Sequence, residues 1–182
     1  MKHLKQRKTD RLTLILTAVY VVLLIWIVLF KLSSPGEIPE LLRTDGIRAL
    51  NWIPFHYDIE NSSHLTEVLE NIAIFIPLGV YFGMLGIGAG KTVLTGILMS
   101  LLFETTQYAF AIGAADITDL ITNTAGTAIG VGGYGLLSRA VHNTDKLNRA
   151  LNTVALICTA TIIILIAMLF IMNGLIINLW ER

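Results

Sequence analysis

Nothing constrains the fold of this chain more than its long apolar runs. Residues 12–30, 68–87, 91–111, 117–137 and 150–173 (the last continuing toward Trp180) each have the roughly 20 mainly apolar residues that a helix needs to cross the hydrocarbon of a bilayer. The first and fifth runs are apolar all round. The middle three carry glycines and polar residues, and so are expected to bury against one another. In lipid every backbone N–H and C=O must be satisfied internally, and no series of short alternating strands suggests a barrel. The expected fold is therefore all-α: an integral membrane bundle of about five transmembrane helices, with residues 1–182 forming a single domain. Composition agrees, at 54% hydrophobic and 14% charged with a mean hydropathy of +0.71, against about 25% charged in ordinary globular chains.

The formal net charge is zero, so no basic excess points to nucleic acid, and none is expected as a partner. The first run follows a basic head, MKHLKQRKTDR, as a secretory signal would. It exceeds the 7–15 residues or so of a signal core, however, and no small-x-small cleavage pattern follows. A retained signal-anchor helix is expected. The single cysteine, Cys158, sits in an apolar run, where it reads as a small hydrophobe.

Cationic residues set the orientation. With the N-terminus inside, the cytoplasmic segments hold Lys2, Lys5, Arg7, Lys8, Arg11, Lys91, Arg139, Lys146 and Arg149; the outer segments hold Lys31, Arg43, Arg48 and Arg182, nine against four. Five crossings then place the C-terminus outside. The one long connection, about 31–67, falls on the outer side and contains NWIPFHYDIE. That stretch is too polar to span. Its Trp52, Phe55 and Tyr57 suit the membrane–water interface, so an extracytoplasmic interfacial or re-entrant segment is expected. No internal repeat of the kind found in duplicated transporters is evident.

Ionisable side chains cost about 2.5–3.5 kcal/mol each at a membrane helix centre on insertion scales, so those inside the spans require explanation. They are Glu70 with Asn71, Glu104 with Gln107, and Asp116 and Asp119 with Asn123. Glu104 lies 13 residues past Lys91, roughly 20 Å up the helix. All three groups and the aromatic loop thus converge on the outer half of the membrane. Glu104 and Gln107 share a helix face, and Asp116, Asp119 and Asn123 form one stripe continued by Gly126 and Gly130. The small residues of GTAIG permit a close helix approach, and the third helix, joined by a short turn, is the expected neighbour.

Each group also has a structural reading. Asp116 is placed to be an N-cap, with Asp119 at the positive end of the helix. Asn71 is placed for an interhelical hydrogen bond, Glu70 for the headgroup zone, and Pro77 for a kink or packing role. The glycines of GVGGYG suggest close packing, because no Lys-Ser/Thr follows as a phosphate loop requires. His56 and His64 lie in or beside the outer loop, as ligands, bases or solvated residues. Asn61-Ser62-Ser63 fits a glycosylation sequon that matters only in a eukaryotic secretory pathway.

Four blocks in order, NWIPF (51–55), NIAIFIPLG (71–79), ETTQ (104–107) and DITDLITNTAGTAIG (116–130), resemble the signature blocks of the VanZ-like family over about residues 51–135. The resemblance implies a small bacterial plasma-membrane protein, whose family founder is associated with low-level resistance to teicoplanin-type glycopeptides. Residues matching the family pattern are Asn51, Pro54, Phe55, Asn71, Phe75, Pro77, Gly79, Glu104, Gln107, Asp116, Asp119, Asn123 and Gly126. Many members carry an arginine before the first Asp of the DxxD block; here the chain reads Gly113-Ala114-Ala115.

Together these features favour a cell-envelope protein whose partners are the bilayer and an amphiphilic ligand, either a lipoglycopeptide or a lipid-linked wall precursor. The ligand-binding set would be Asn51, His56, Glu70, Asn71, Glu104, Gln107, Asp116, Asp119 and Asn123. The alternative is a membrane enzyme acting on a lipid-linked substrate, with Glu104, Asp116, Asp119 and His56 as general acid/base groups and the three acids as ligands of a divalent cation. No Ser–His, Cys–His or HExxH arrangement supports covalent or zinc-type hydrolysis. A proton-coupled transporter, with Glu104 as carrier, is least favoured because the cytoplasmic half offers no matching polar residues.

Overall fold

A computed structural model describes residues 11–30, 50–55, 64–112 and 115–180. Within them the elements are α1 (Arg11–Phe30), β1 (Leu50–Asn51), α2 (His64–Met84), α3 (Ala89–Phe110), β2 (Ala115–Asp116), α4 (Ile117–Ala140) and α5 (Thr144–Trp180). The protein is an all-α membrane bundle. By length and apolarity, α1, α2, α3 and α5 are the described helices able to cross a membrane. Threonine, asparagine and glycine dilute α4 below that mark, and it is instead the most enclosed helix, with Thr118, Thr122, Asn123, Gly126, Thr127, Gly130, Val131 and Tyr134 buried. Its polar content faces protein.

Short turns fix neighbours. After α2, Gly86 adopts φ 79°, while Ile87 N–H bonds Phe82 O and Gly86 N–H bonds Gly83 O. This paired 6→1 and 5→2 closure needs a left-handed residue, which glycine supplies without strain. After α3 the same closure recurs, with Ile112 N–H on Gln107 O and Ala111 N–H on Tyr108 O, but here Ala111 holds the left-handed position at φ 54°.

The tightest seam joins α2 to α4. A Cβ added at Gly126 would collide with Ile72 O, one at Gly130 with Ile76 O, and one at Gly79 with Thr127 O. The two backbones therefore touch where both helices are bare. The sequence reading assigned the GTAIG face to the third helix, and that is corrected: it packs on α2. The reason is that α2 contributes its own glycine to the crossing. The third helix, α3, meets the adjacent face of α4, where Gly96 lies against the Thr127 side chain. Of the GVGGYG glycines, Gly130 is closely packed, whereas a Cβ at Gly132, Gly133 or Gly135 would meet nothing within 4 Å, so close packing does not account for those three.

Around this pair, Phe75 of α2 and Phe103 of α3 meet edge to face at 6.3 Å, in a buried cluster with Leu24 and Leu78. Pro77 withdraws one N–H from α2. One turn before it, Ile74 O accepts from the Tyr20 hydroxyl of α1 at 2.6 Å. At the other end Asn152 of α5 donates to Thr13 of α1 at 2.9 Å, and Tyr134 donates to Asn148 at 2.9 Å. Every described lysine and arginine (Arg11, Lys91, Arg139, Lys146, Arg149) lies near this end, at the starts of α1, α3 and α5 or the end of α4.

A feature with no helical signature closes the opposite end. β1 and β2 pair in parallel, Leu50 beside Ala115 and Asn51 beside Asp116. Residues 50–55 are thereby strapped to the N-terminus of α4.

Candidate functional site

The N-terminus of α4 organises the polar end. Asp116 is its N-cap, and its side chain accepts from Thr118 N–H at 2.7 Å, which fills one of the donors a helix start leaves open. The other carboxylate oxygen accepts from Asn51 Nδ2 at 3.0 Å. Asp116 also donates its own backbone N–H to Glu104 Oε2 at 2.7 Å. The local counter-partners of Asp116 are thus an amide and the helix start. Thr118, buried between the two aspartates, accepts from Phe55 N–H at 3.1 Å, and Phe55 itself holds a left-handed backbone at φ 55°.

One turn further along α4, Asp119 accepts from Asn71 Nδ2 of α2 at 2.7 Å. Asn123 donates to Ser100 Oγ of α3 at 3.0 Å. Gln107 reaches α1, donating to Val28 O at 3.0 Å. The structure thus draws Asn51, Asn71, Glu104, Asp116, Asp119 and Asn123 into hydrogen-bonded links between elements, with Gln107 on the α1 side of α3. Glu70 does not join them. It is exposed on α2, because adjacent helical residues point about 100° apart and only Asn71 turns inward. His56 lies outside the described residues. His64 opens α2, with Nδ1 3.8 Å from Glu67 Oε2.

Two cavities adjoin this network. A groove of about 230 Å³ runs between α3 and α4, walled by Leu101, Ile117, Leu120, Tyr108 and the strap residues Leu50 and Trp52, with Glu104, Asp116 and Asn51 at its polar side. A smaller polar pocket of about 100 Å³ is lined by Asn51, His64, Glu67, Asp116, Thr118 and Asp119. The groove joins apolar walls to hydrogen-bond acceptors, the chemistry that suits an amphiphile. Among the described residues, no group of three His, Cys, Asp or Glu side chains is placed to hold a metal ion. The triad Glu104, Asp116 and Asp119 is instead linked to backbone and amide donors.

Ser100, Thr118, Glu67, Tyr108 and the groove walls Leu50 and Trp52 escape a search for intramembrane acids and amides. Serine and threonine rarely stand out in a membrane helix, because they can return their hydroxyl to their own backbone, as Thr105 does to Leu101 O at 2.7 Å. Ser100 does sit one turn from Glu104, and Thr118 inside the DITD block, which are the signals available.

Comparison with known proteins places these residues in context. The VanZ/LLP1 family model matches residues 17–138, from within α1 to near the end of α4. Protein VanZ of Enterococcus faecium is 37% identical over 151 residues, covering 82% of this chain and 89% of that protein. No solved structure matches. The match spans all the elements that build the polar end, and the chain belongs to the VanZ/LLP1 family.

Proposed function

We propose that this protein contributes to resistance against teicoplanin-type glycopeptides by binding an amphiphile, a lipoglycopeptide or a lipid-linked wall precursor, at the outer leaflet of a bacterial plasma membrane. The observation that carries this reading is the groove between α3 and α4, whose walls are apolar and whose polar side holds Glu104, Asp116 and Asn51. A lipid-anchored molecule approaching along the membrane plane would lay its tail on Leu101 and Leu120 and its head against the carboxylates. The excess of lysine and arginine at the far end of the bundle supports an inward N-terminus and an outward polar cluster. With α4, enclosed by the other helices, counted as the fifth crossing beside the four apolar spans, the C-terminus is extracytoplasmic. Binding is favoured over metal-assisted catalysis because the acids are engaged by donors of the protein itself.

The test is genetic. Deleting the gene is expected to lower the teicoplanin concentration that stops growth, with restoration by the wild-type copy. Leu120→Glu, which places a charge in the apolar wall, is expected to fail in restoration while the protein remains in the membrane at normal level. Unchanged teicoplanin susceptibility on deletion would refute the proposal.

A further inference from the structure

A further cavity, of about 430 Å³, lies between α1, α2 and α5. Its walls run from Tyr20 to Ile27 on α1, from Ala73 to Met84 on α2 and from Leu151 to Ile162 on α5. All three helices are long and apolar enough to cross a membrane, so the crevice falls within the hydrocarbon layer. The Tyr20 hydroxyl on its wall already donates to Ile74 O at 2.6 Å, and the lining is otherwise mainly apolar. Toward the cationic end the crevice stops against Leu151 and Met84, which pack with Leu16 and Tyr134 in a buried cluster. From that floor it extends toward the acidic end. Its origin lies in α5. Beyond Asn152, which bonds Thr13, no α5 side chain up to Met172 is buried, so α5 lies along α1 and α2 without filling the space between them.

A void of this kind does not stay empty in a bilayer. Its lining would forfeit dispersion contacts, and an apolar cavity does not hold water. Shape selects the occupant. The α2 wall from Ala73 to Met84 is roughly 16 Å long at 1.5 Å per residue, which leaves a mean cross-section of roughly 25–30 Å². A helix, about 10–12 Å across with its side chains, would need at least about three times the volume over that length, which excludes a helix of a second copy. One hydrocarbon chain, whose carbons pack about 3.5–4.0 Å from their neighbours, fits.

We propose that this crevice is a binding site for one acyl chain of a membrane phospholipid, and that the chain supplies the packing α5 lacks against α1 and α2. The site is separate from the groove between α3 and α4 and holds whether or not that groove binds an amphiphile.

Two measurements test this on the full-length protein. In bilayers of phosphatidylcholine carrying a photoreactive diazirine midway along one acyl chain, adducts are mapped by peptide mass spectrometry. Val80 and Ala155, inside the crevice, are expected to label roughly tenfold more than Ile157 and Ile164, a preference of about 1.4 kcal/mol. Those two are 61 and 58% exposed, on the opposite face of α5. Equal labelling of the two sets marks ordinary solvating lipid and overturns the site. Labelling of Ile157 and Ile164 with none at Val80 shows that protein fills the crevice, and overturns it too. Cys158→Phe, or Ala155→Leu where the larger side chain prevents folding, is expected to bring Val80 down to the level of Ile157. Undiminished labelling of Val80 in the filled crevice also counts against the site.

In the second, thermal midpoints are read in detergent before and after phosphatidylcholine is added to the delipidated protein. The parent is expected to gain about 2–4 °C through binding to the folded state, and Cys158→Phe to gain little. An equal gain in both, or none in the parent, overturns the packing role of the chain.

Discussion

A carboxylate buried beside lipid needs a donor, and one of Glu104's donors is the backbone N–H of Asp116, which ends β2 and caps α4. Substitution separates its structural and ligand-facing roles. Glu104→Ala strands the Asp116 N–H and is expected to destabilise the fold by about 1–3 kcal/mol, read as a lower midpoint in a denaturant titration in detergent. Glu104→Gln keeps an oxygen acceptor at the same reach and should retain most of that stability. If Glu104→Gln is stable yet fails to protect against teicoplanin, the charge acts on the ligand; if it protects fully, Glu104 is a positioning residue for the α4 entrance. Asn71 and Asp119 make the cleaner pair, one link between α2 and α4. A double-mutant cycle through Asn71→Ala and Asp119→Ala is expected to give a coupling of about 0.5–3 kcal/mol, and a coupling near zero would show that the two side chains act apart.

At the scale of elements, the α2–α4 seam is where stability should be most sensitive to a single methyl group. Gly79→Ala, Gly126→Ala and Gly130→Ala each drive a Cβ into backbone of the facing helix, which cannot swing aside as a side chain can. Losses of about 1–3 kcal/mol or more are expected. Gly132→Ala, Gly133→Ala and Gly135→Ala meet open space, and alanine's helix preference should make each neutral or stabilising by up to about 1 kcal/mol. Thermal midpoints of the six variants in one detergent would check the contrast. This division was only half legible in the sequence. Apolar run lengths located the helices, giving 117–137 for a helix that spans Ile117–Ala140 and 150–173 for one that runs Thr144–Trp180. Glycine spacing marked a close approach but not its partner, because that choice depends on which neighbour is also bare. The β1–β2 pair was invisible, since two residues carry no periodicity. At the site, Asn71, Glu104, Asp116, Asp119 and Asn123 stood out through their cost in lipid. Glu70 stood out for the same cost in lipid, but it is exposed beside the inward Asn71, because on a helix it is residues three and four apart, not neighbours, that share a face.

The whole molecule is polarised along the bundle axis. Among the described residues every lysine and arginine lies at one end, whereas Glu67, Glu70, Glu104, Asp116 and Asp119 lie toward the other and only Asp145 accompanies the cations. Such a dipole reads as orientation, because cytoplasmic loops retain lysine and arginine and short outer loops do not. The apolar strap lies at the acidic end, where exposed Trp52 and Phe55 suit the headgroup boundary. Orientation can be measured with single cysteines in the Cys158→Ser protein and a membrane-impermeant maleimide on intact cells. Thr66, exposed in the first turn of α2, represents the acidic end; Asn143, exposed between α4 and α5, represents the cationic end. Thr66→Cys is expected to label in intact cells and Asn143→Cys only after permeabilisation. The reverse pattern would turn the groove toward the cytoplasm, where no extracellular glycopeptide reaches it, and so would exclude direct antibiotic capture while leaving a cytoplasmic lipid-linked precursor as the amphiphile to test.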